Sequence, residues 1–282
     1  MGIGIIKRNW LYILWFIVNF WVCWRFFGGG VGFFFILLLV YAVSISIALS
    51  PIGEWLLRLL EGARPILTKQ EKEYLIPIFS DLYKTVKEKT PFLDEVNLYL
   101  QDEMSVNAFA IGRHTVVLTK GAIETFSEDE LKGILAHELG HIANGDTIAL
   151  LLTTIGNGIF ALFVFLLRLC TMLIDIVTAM FDRVGFIRII FNIARFFLDM
   201  QILFFMFISQ VILSINSRKN EFEADRFACW NGYGAELTEA LYVLQKMSLS
   251  EKMTVKERLT ASHPILAWRI NKLETLLDSE EQ

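Results

Sequence analysis

Cysteine is scarce in this chain of 282 residues, and the three present, Cys23, Cys170 and Cys229, are far apart and odd in number. That excludes a disulfide framework and a cysteine metal cage, and it fits packing residues in a reducing compartment. Charge is scarce as well: Asp, Glu, Lys and Arg make up 20% of residues and the net charge is −4. Such a balance gives no footing to nucleic acid or any other polyanion as a partner. Internal repeats and low-complexity tracts are also lacking. So is a small-residue cleavage site after the basic stretch Met1 to Arg8; the bulky run Trp21-Val22-Cys23-Trp24-Arg25 stands there instead. The expectation is an uncleaved first span rather than a signal peptide.

What is abundant is apolar mass. Hydrophobic residues make up 55% of the chain, with 24 Phe and 7 Trp, against roughly 45–50% in a soluble domain. Four runs account for it: Trp10 to Phe27, Val31 to Leu49, Ile148 to Leu167, and Met200 to Ile215 with a start as early as Phe196. Each approaches the ~20 residues needed to cross ~30 Å of hydrocarbon. The first two, joined across Gly28-Gly29-Gly30, predict a helical hairpin that ends at Ser50-Pro51.

From Ile52 to Asp146 the composition is that of a soluble domain. Thr68 with Glu71, and Ser127 with Glu130, have capping-box spacing and predict two helix starts. Between them 96–100, 108–110 and 115–119 read as short strands, with Gly112-Arg113 as a turn. His114 reads as a solvated turn residue.

The stretch from Arg168 to Asp199 is less usual. Arg168, Asp175 and Asp182 recur every seven residues, as do Arg188 and Arg195, which puts such charges on one helical face. With a turn at Asp182-Arg183-Val184-Gly185, antiparallel pairing sets Arg168 opposite Asp199 and Asp175 near Arg195. Helices that continue to this turn run about 35 residues, ~52 Å, longer than a bilayer is thick. The expectation is a hairpin projecting beyond the far leaflet, a place for a membrane-protein partner; the alternative is an amphipathic segment lying flat on the surface.

The chemistry sits in Ala136-His137-Glu138-Leu139-Gly140-His141, in helical context with Gly145 placed as a stop. On a helix His137 and His141 are one turn apart on one face, so both imidazoles reach one ion. Glu138 is placed to take a proton from water on that ion. Two imidazoles and a carboxylate suit zinc. A metzincin needs His at 147 and Gly at 144, where this chain has Thr147 and Asn144. The third ligand is expected from Glu221-Phe222-Glu223-Ala224-Asp225, where Glu221 and Asp225 share a face; spacing alone does not choose between them. Two apolar runs lie between His141 and Glu221, and an even number of crossings returns both to one side. Lys7, Arg8, Arg58, Arg64, Lys69 and Lys72 flank the first hairpin and place that side in the cytosol, with Arg183 and Arg188 opposing.

Together with Asn107-Ala108-Phe109-Ala110 and Ser262-His263-Pro264, these motifs resemble the HtpX family of membrane metalloproteases, relatives of the CAAX prenyl proteases. The resemblance covers most of the chain, the charged stretch 168–199 excepted. It implies one zinc held by His137, His141 and Glu221, Glu138 as general base, and Asp225 supporting a ligand. It further implies His263 at the oxyanion, and Asn107 and Ala108 in a strand that pairs with substrate backbone. On its own His263 reads as a helix-entry residue, and Asn107 as a strand cap. The implied fold is a mostly α membrane protein: four transmembrane helices and a cytosolic α+β zincin domain of gluzincin type, assembled from two segments. Its divisions fall at 1–50 (first hairpin), 51–147 (metal helix), 148–216 (second hairpin) and 217–282 (third ligand). The implied role is that of a multi-pass cell-membrane peptidase acting in stress response and quality control on membrane or unfolded polypeptides. A catalytically idle zinc scaffold and a prenyl-protein peptidase are the competing expectations; an intact Glu138 speaks against the first, and a count of only four spans against the second.

Overall fold

The computed structural model describes residues 10–26, 29–181, 186–248 and 266–280. In chain order the elements are α1 (Trp10–Phe26), α2 (Val31–Ala48), α3 (Pro51–Leu60), β1 (Ala63–Pro65), α4 (Lys69–Lys89), β2 (Asn97–Gln101), β3 (Ala108–Ile111), β4 (Thr115–Thr119), α5 (Lys120–Thr125), α6 (Glu128–Asn144), α7 (Asp146–Phe181), α8 (Phe186–Asn231), α9 (Gly234–Ser248) and α10 (Leu266–Glu280). Both capping boxes form, at Thr68 and Ser127. The three expected strands stand within a residue or two of their predicted ends. β1, α3 and α5 have no clear sequence signal; α3 begins at Pro51, where the first hairpin was expected to end.

The sheet order is β1-β2-β4-β3, with β2 and β4 parallel and both edge pairs antiparallel. β4 is buried along its whole length, as a central strand covered on both faces should be. Against it pack Leu75, Leu82 and Val86 of α4 and Leu131, Leu135 and Leu139 of α6, with Leu237 and Leu241 of α9 and Leu273 of α10 closing the core. The Leu131-Leu135-Leu139 spacing of four keeps those side chains on one stripe of α6. α6 is buried nearly all round, so it is the central rod of this half of the molecule.

Arg64 on β1 ties the sheet to α4. Its guanidinium donates to Glu71 at 2.7 and 3.2 Å and to Asp102 at 2.6 and 2.7 Å. Arg64, and after it the Thr68 amide, hold the Glu71 carboxyl down at about 2, against an ordinary 4.5. A depressed acid stabilises the fold above its unfolded value and loses that contribution as it protonates. The stability difference between native protein and Glu71→Gln is therefore expected to be full above pH 4.5 and to shrink toward zero by pH 2. Thermal melts of both proteins in one detergent across that range check it; a constant difference would remove the Arg64–Glu71 tie.

The other half is apolar helix. Val31–Ala48 and Asp146–Val177 are long and apolar enough to cross a membrane, with shorter apolar segments at Ile13–Arg25 and Ile202–Val211. α1 packs on α7 and α8, and α2 on α7, around Cys23, Leu37, Tyr41, Phe160 and Phe163. A polar knot pins the bundle: Asn157 Oδ1 accepts from Trp15 Nε1 at 3.1 Å, from Ser209 Oγ at 3.4 Å and from Asn19 Nδ2 at 3.5 Å. α7 and α8 continue past the apolar segments as antiparallel helices of 36 and 46 residues. Arg168 meets Asp199 at 2.9 Å and Arg195 meets Asp175 at 2.6 Å, the pairs the seven-residue repeat predicts. The expected turn at 182–185 lies outside the described residues.

Candidate metal centre

Three helices converge on the centre. α6 starts at the Ser127 cap and stops at Gly145, whose φ of +73° is in the left-handed region, where glycine alone sits without strain. The chain then turns into α7, with Asp146 as its first residue. α8 crosses α6 closely: a Cβ on Gly140 would sit 3.1 Å from the Ala224 Cα and 3.1 Å from the Phe227 Cβ. This close approach carries Glu221, just before Ala224 on α8, to the two histidines.

The result is compact. His137 Nε2 lies 3.5 Å from Glu221 Oε2, and His141 Nε2 lies 3.6 Å from Glu221 Oε1. One donor atom from each of the three residues falls within 4.8 Å of the others. Ligands at ~2.0–2.1 Å on a tetrahedral ion stand about 3.4 Å apart, so these separations suit a single zinc-sized cation.

Each imidazole has a carboxylate behind it. His137 Nδ1 is 2.9 Å from Asp225 Oδ1, and His141 Nδ1 is 3.1 Å from Asp146 Oδ2. Both contacts hold a proton on Nδ1, which turns Nε2 of each ring toward Glu221 and makes it the nitrogen a metal would take. Arg269 on α10 is also near, its terminal nitrogen 3.3 Å from His137 Nδ1. An Nδ1 that donates to Asp225 cannot accept from Arg269, so that approach is proximity only. The guanidinium grips the carboxylates instead: Asp225 from two nitrogens at 2.6 and 2.9 Å, and Glu221 at 2.8 Å.

Glu138, Asp146, Glu221, Asp225 and Arg269 are all buried. Among the described residues, four buried carboxylates thus face one buried permanent cation, which is costly in a dry site. Protons are drawn in to balance them. Burial alone would lower His141, but Asp146 and Glu221 outweigh it and push it up to about 10. His137 is raised in the same way, with Asp225 and Glu221 outweighing burial and Arg269. Asp225 is lowered, since Arg269 and His137 overcome the effect of burial. A divalent cation satisfies the same charge demand without protons, so the donor set fits a metal.

Of the residues singled out in the sequence, His137, His141, Glu221 and Asp225 come together here, with Glu138 beside them on α6. Its charge acts on both His141 and Arg269. Ala108 begins β3, an edge strand among the described residues that runs along α6, and Asn107 immediately precedes it. His263 falls outside the described residues. Sequence reasoning missed two participants. They are Asp146, five residues after His141, and Arg269 on α10. His114 is an exposed turn residue, as expected, and its Nδ1 lies 3.0 Å from Glu54 Oε2.

The profile of peptidase family M48 matches residues 69–277. The chain belongs to that family. It is a metalloprotease, and it is 31% identical over 252 residues to a protease HtpX homolog of Desulfotalea psychrophila, covering 82% of this chain and 83% of that one. A protease HtpX of Pseudomonas fluorescens is 30% identical over 244 residues, 79% and 78% of the two chains. The fold resembles the crystal structure of Ste24p from S. mikatae, with a TM-score of 0.57 at 19% identity, covering 92% of this chain and 62% of that one. That likeness is one of fold.

Proposed function

We propose that this M48 metalloprotease is a multi-pass membrane zinc endopeptidase that cuts membrane or misfolded polypeptides at the cytosolic face as part of protein quality control. The observation that carries the reading is the donor set: two imidazole nitrogens and one carboxylate at tetrahedral spacing, each imidazole backed by its own carboxylate. His137, His141 and Glu221 hold the ion, Asp225 and Asp146 orient the imidazoles, and Glu138 is the general base. Zinc, when bound, supplies a water whose pKa falls from about 15.7 toward 7. Arg269 neutralises Asp225 and one oxygen of Glu221, so that Glu221 would give its other oxygen to the metal. The oxyanion role of His263 rests on the Ser262-His263-Pro264 motif alone. The edge of β3, open among the described residues, would give an extended peptide a row of backbone partners along α6, which favours breadth over sequence preference. The four apolar segments support the multi-pass reading, and the basic residues around the first hairpin support a cytosolic catalytic half.

Metal analysis tests the ligand set. Glu221→Ala should lose zinc affinity by more than the roughly 10–100-fold that an outer-shell partner costs, and a chelator should end casein cleavage by the native protein. Full zinc occupancy in Glu221→Ala would refute the assignment.

A further inference from the structure

α3 is built inside out. Its protein-facing side carries the charge: Glu54 is 7% exposed, is contacted by the His114 amide at 3.1 Å and His114 Nδ1 at 3.0 Å, and accepts from Thr115 Oγ1 at 2.6 Å. Arg58, a turn later, donates to Thr115 Oγ1 at 2.9 Å and stacks over Tyr99 at 4.6 Å. The outward side is Ile52, Trp55, Leu56, Leu59 and Leu60, between 43% and 73% exposed. A helix facing water shows the reverse arrangement.

The corner before α3 is fixed. Ser50 Oγ donates to the Ile47 carbonyl at 2.6 Å and accepts from the Gly53 amide at 3.3 Å, and Pro51 starts the helix. A Cβ on Gly53 would lie 2.4 Å from the Ile47 oxygen and 2.5 Å from that of Ala48, so only glycine lets the chain fold back this tightly. The apolar face of α3 is therefore continuous with the apolar surface of α2, a candidate span. An amphipathic helix with a tryptophan on its apolar side, held at the end of a span, suits the boundary between headgroups and acyl chains.

α3 also grips the substrate edge. Gly112 turns β3 into β4 with φ +60°, and a Cβ there would meet the Glu54 carboxylate at 2.8 Å. From the other side Thr147, in the first turn of α7, donates to the Gly112 carbonyl at 2.6 Å. The turn that ends the open strand is thus clamped between two helices, each joined to an apolar span.

We propose that α3 lies in the lipid headgroup layer and, through Glu54, holds the open edge of β3 at a fixed height above it. The polypeptide this edge takes is an extended juxtamembrane segment of a membrane-embedded chain. The substrate class rests on the peptidase reading given above; the membrane placement of α3 does not.

The test uses the full chain in phosphatidylcholine–phosphatidylglycerol vesicles, with Cys23, Cys170 and Cys229 replaced by Ser. A bimane probe on Leu59→Cys should be quenched by lipids brominated near the top of the acyl chain. The same probe on Glu128→Cys, at the far end of α6 and ~24 Å from α7, should not. In parallel, substrates carrying one unstructured cut segment at increasing distance from their own span should be cleaved best at a single distance. Leu59→Glu with Trp55→Glu should flatten that preference while leaving casein cleavage unchanged. An unquenched Leu59 probe, or one shielded only as protein concentration rises (as a second copy would do), overturns the placement. Equal cleavage at every distance overturns the substrate class. Quenching without any casein cleavage leaves α3 in the membrane surface and removes the peptidase reading instead.

Discussion

Glu138→Gln should keep its zinc and lose casein cleavage by roughly 10²–10⁴-fold, the range a general base supplies. The substitution keeps size and hydrogen-bonding reach and removes only the ability to take a proton. Glu138 is not among the three residues whose donors meet at the centre, so bound metal should stay near one per chain. Its side chain is enclosed, at 8% exposure, which leaves little room for bulk water to do the same work. Metal content and cleavage rate measured on one preparation separate the two effects. Equal rates in both proteins would refute the base assignment, and lost zinc would make Glu138 a ligand.

The second large effect falls on a residue that the sequence did not advertise. Arg269→Met removes the cation between Asp225 and Glu221, both nearly inaccessible to solvent. Breaking a buried ion pair from one side costs about 3–5 kcal/mol, because the carboxylates left behind have no compensation. For a protein this size that is a fall in melting temperature on the order of 10 °C. Zinc takes up part of the orphaned charge, so the fall should be larger in metal-stripped protein than in protein melted with zinc present. An unchanged melting temperature in the stripped form would show that the guanidinium does not balance these carboxylates.

The contrast between these residues shows what a sequence exposes and what it hides. His137, Glu138 and His141 were legible because their spacing is a local helical property, and a helix start at Ser127 with a stop at Gly145 framed it. The choice between Glu221 and Asp225 was not local. It depends on how α8 crosses α6, and that crossing is set by Gly140 meeting Ala224, a contact between residues 84 positions apart. Arg269 is further still along the chain, and nothing in its own helix distinguishes it from a solvated arginine. The charged pairs between α7 and α8 were readable because a seven-residue period encodes a face. α3 was hidden for the opposite reason: its polar residues point inward, so a pattern that means a buried face in water means an exposed one in lipid.

The unbroken course of α8 makes insertions there unforgiving. From the apolar segment to the candidate ligand it is one helix, and Glu221 follows Ile215 by six residues, or ~9 Å. Each added residue in that interval would turn the Glu221 carboxylate by ~100° about the axis and shift it ~1.5 Å along it. One or two would aim it into the protein or out to solvent. Seven would bring it round to within ~20° of its bearing, but some 10 Å too far along. The distance between anchor and ligand is therefore quantised by the screw of the helix, and natural length variation in this protein belongs elsewhere in the chain.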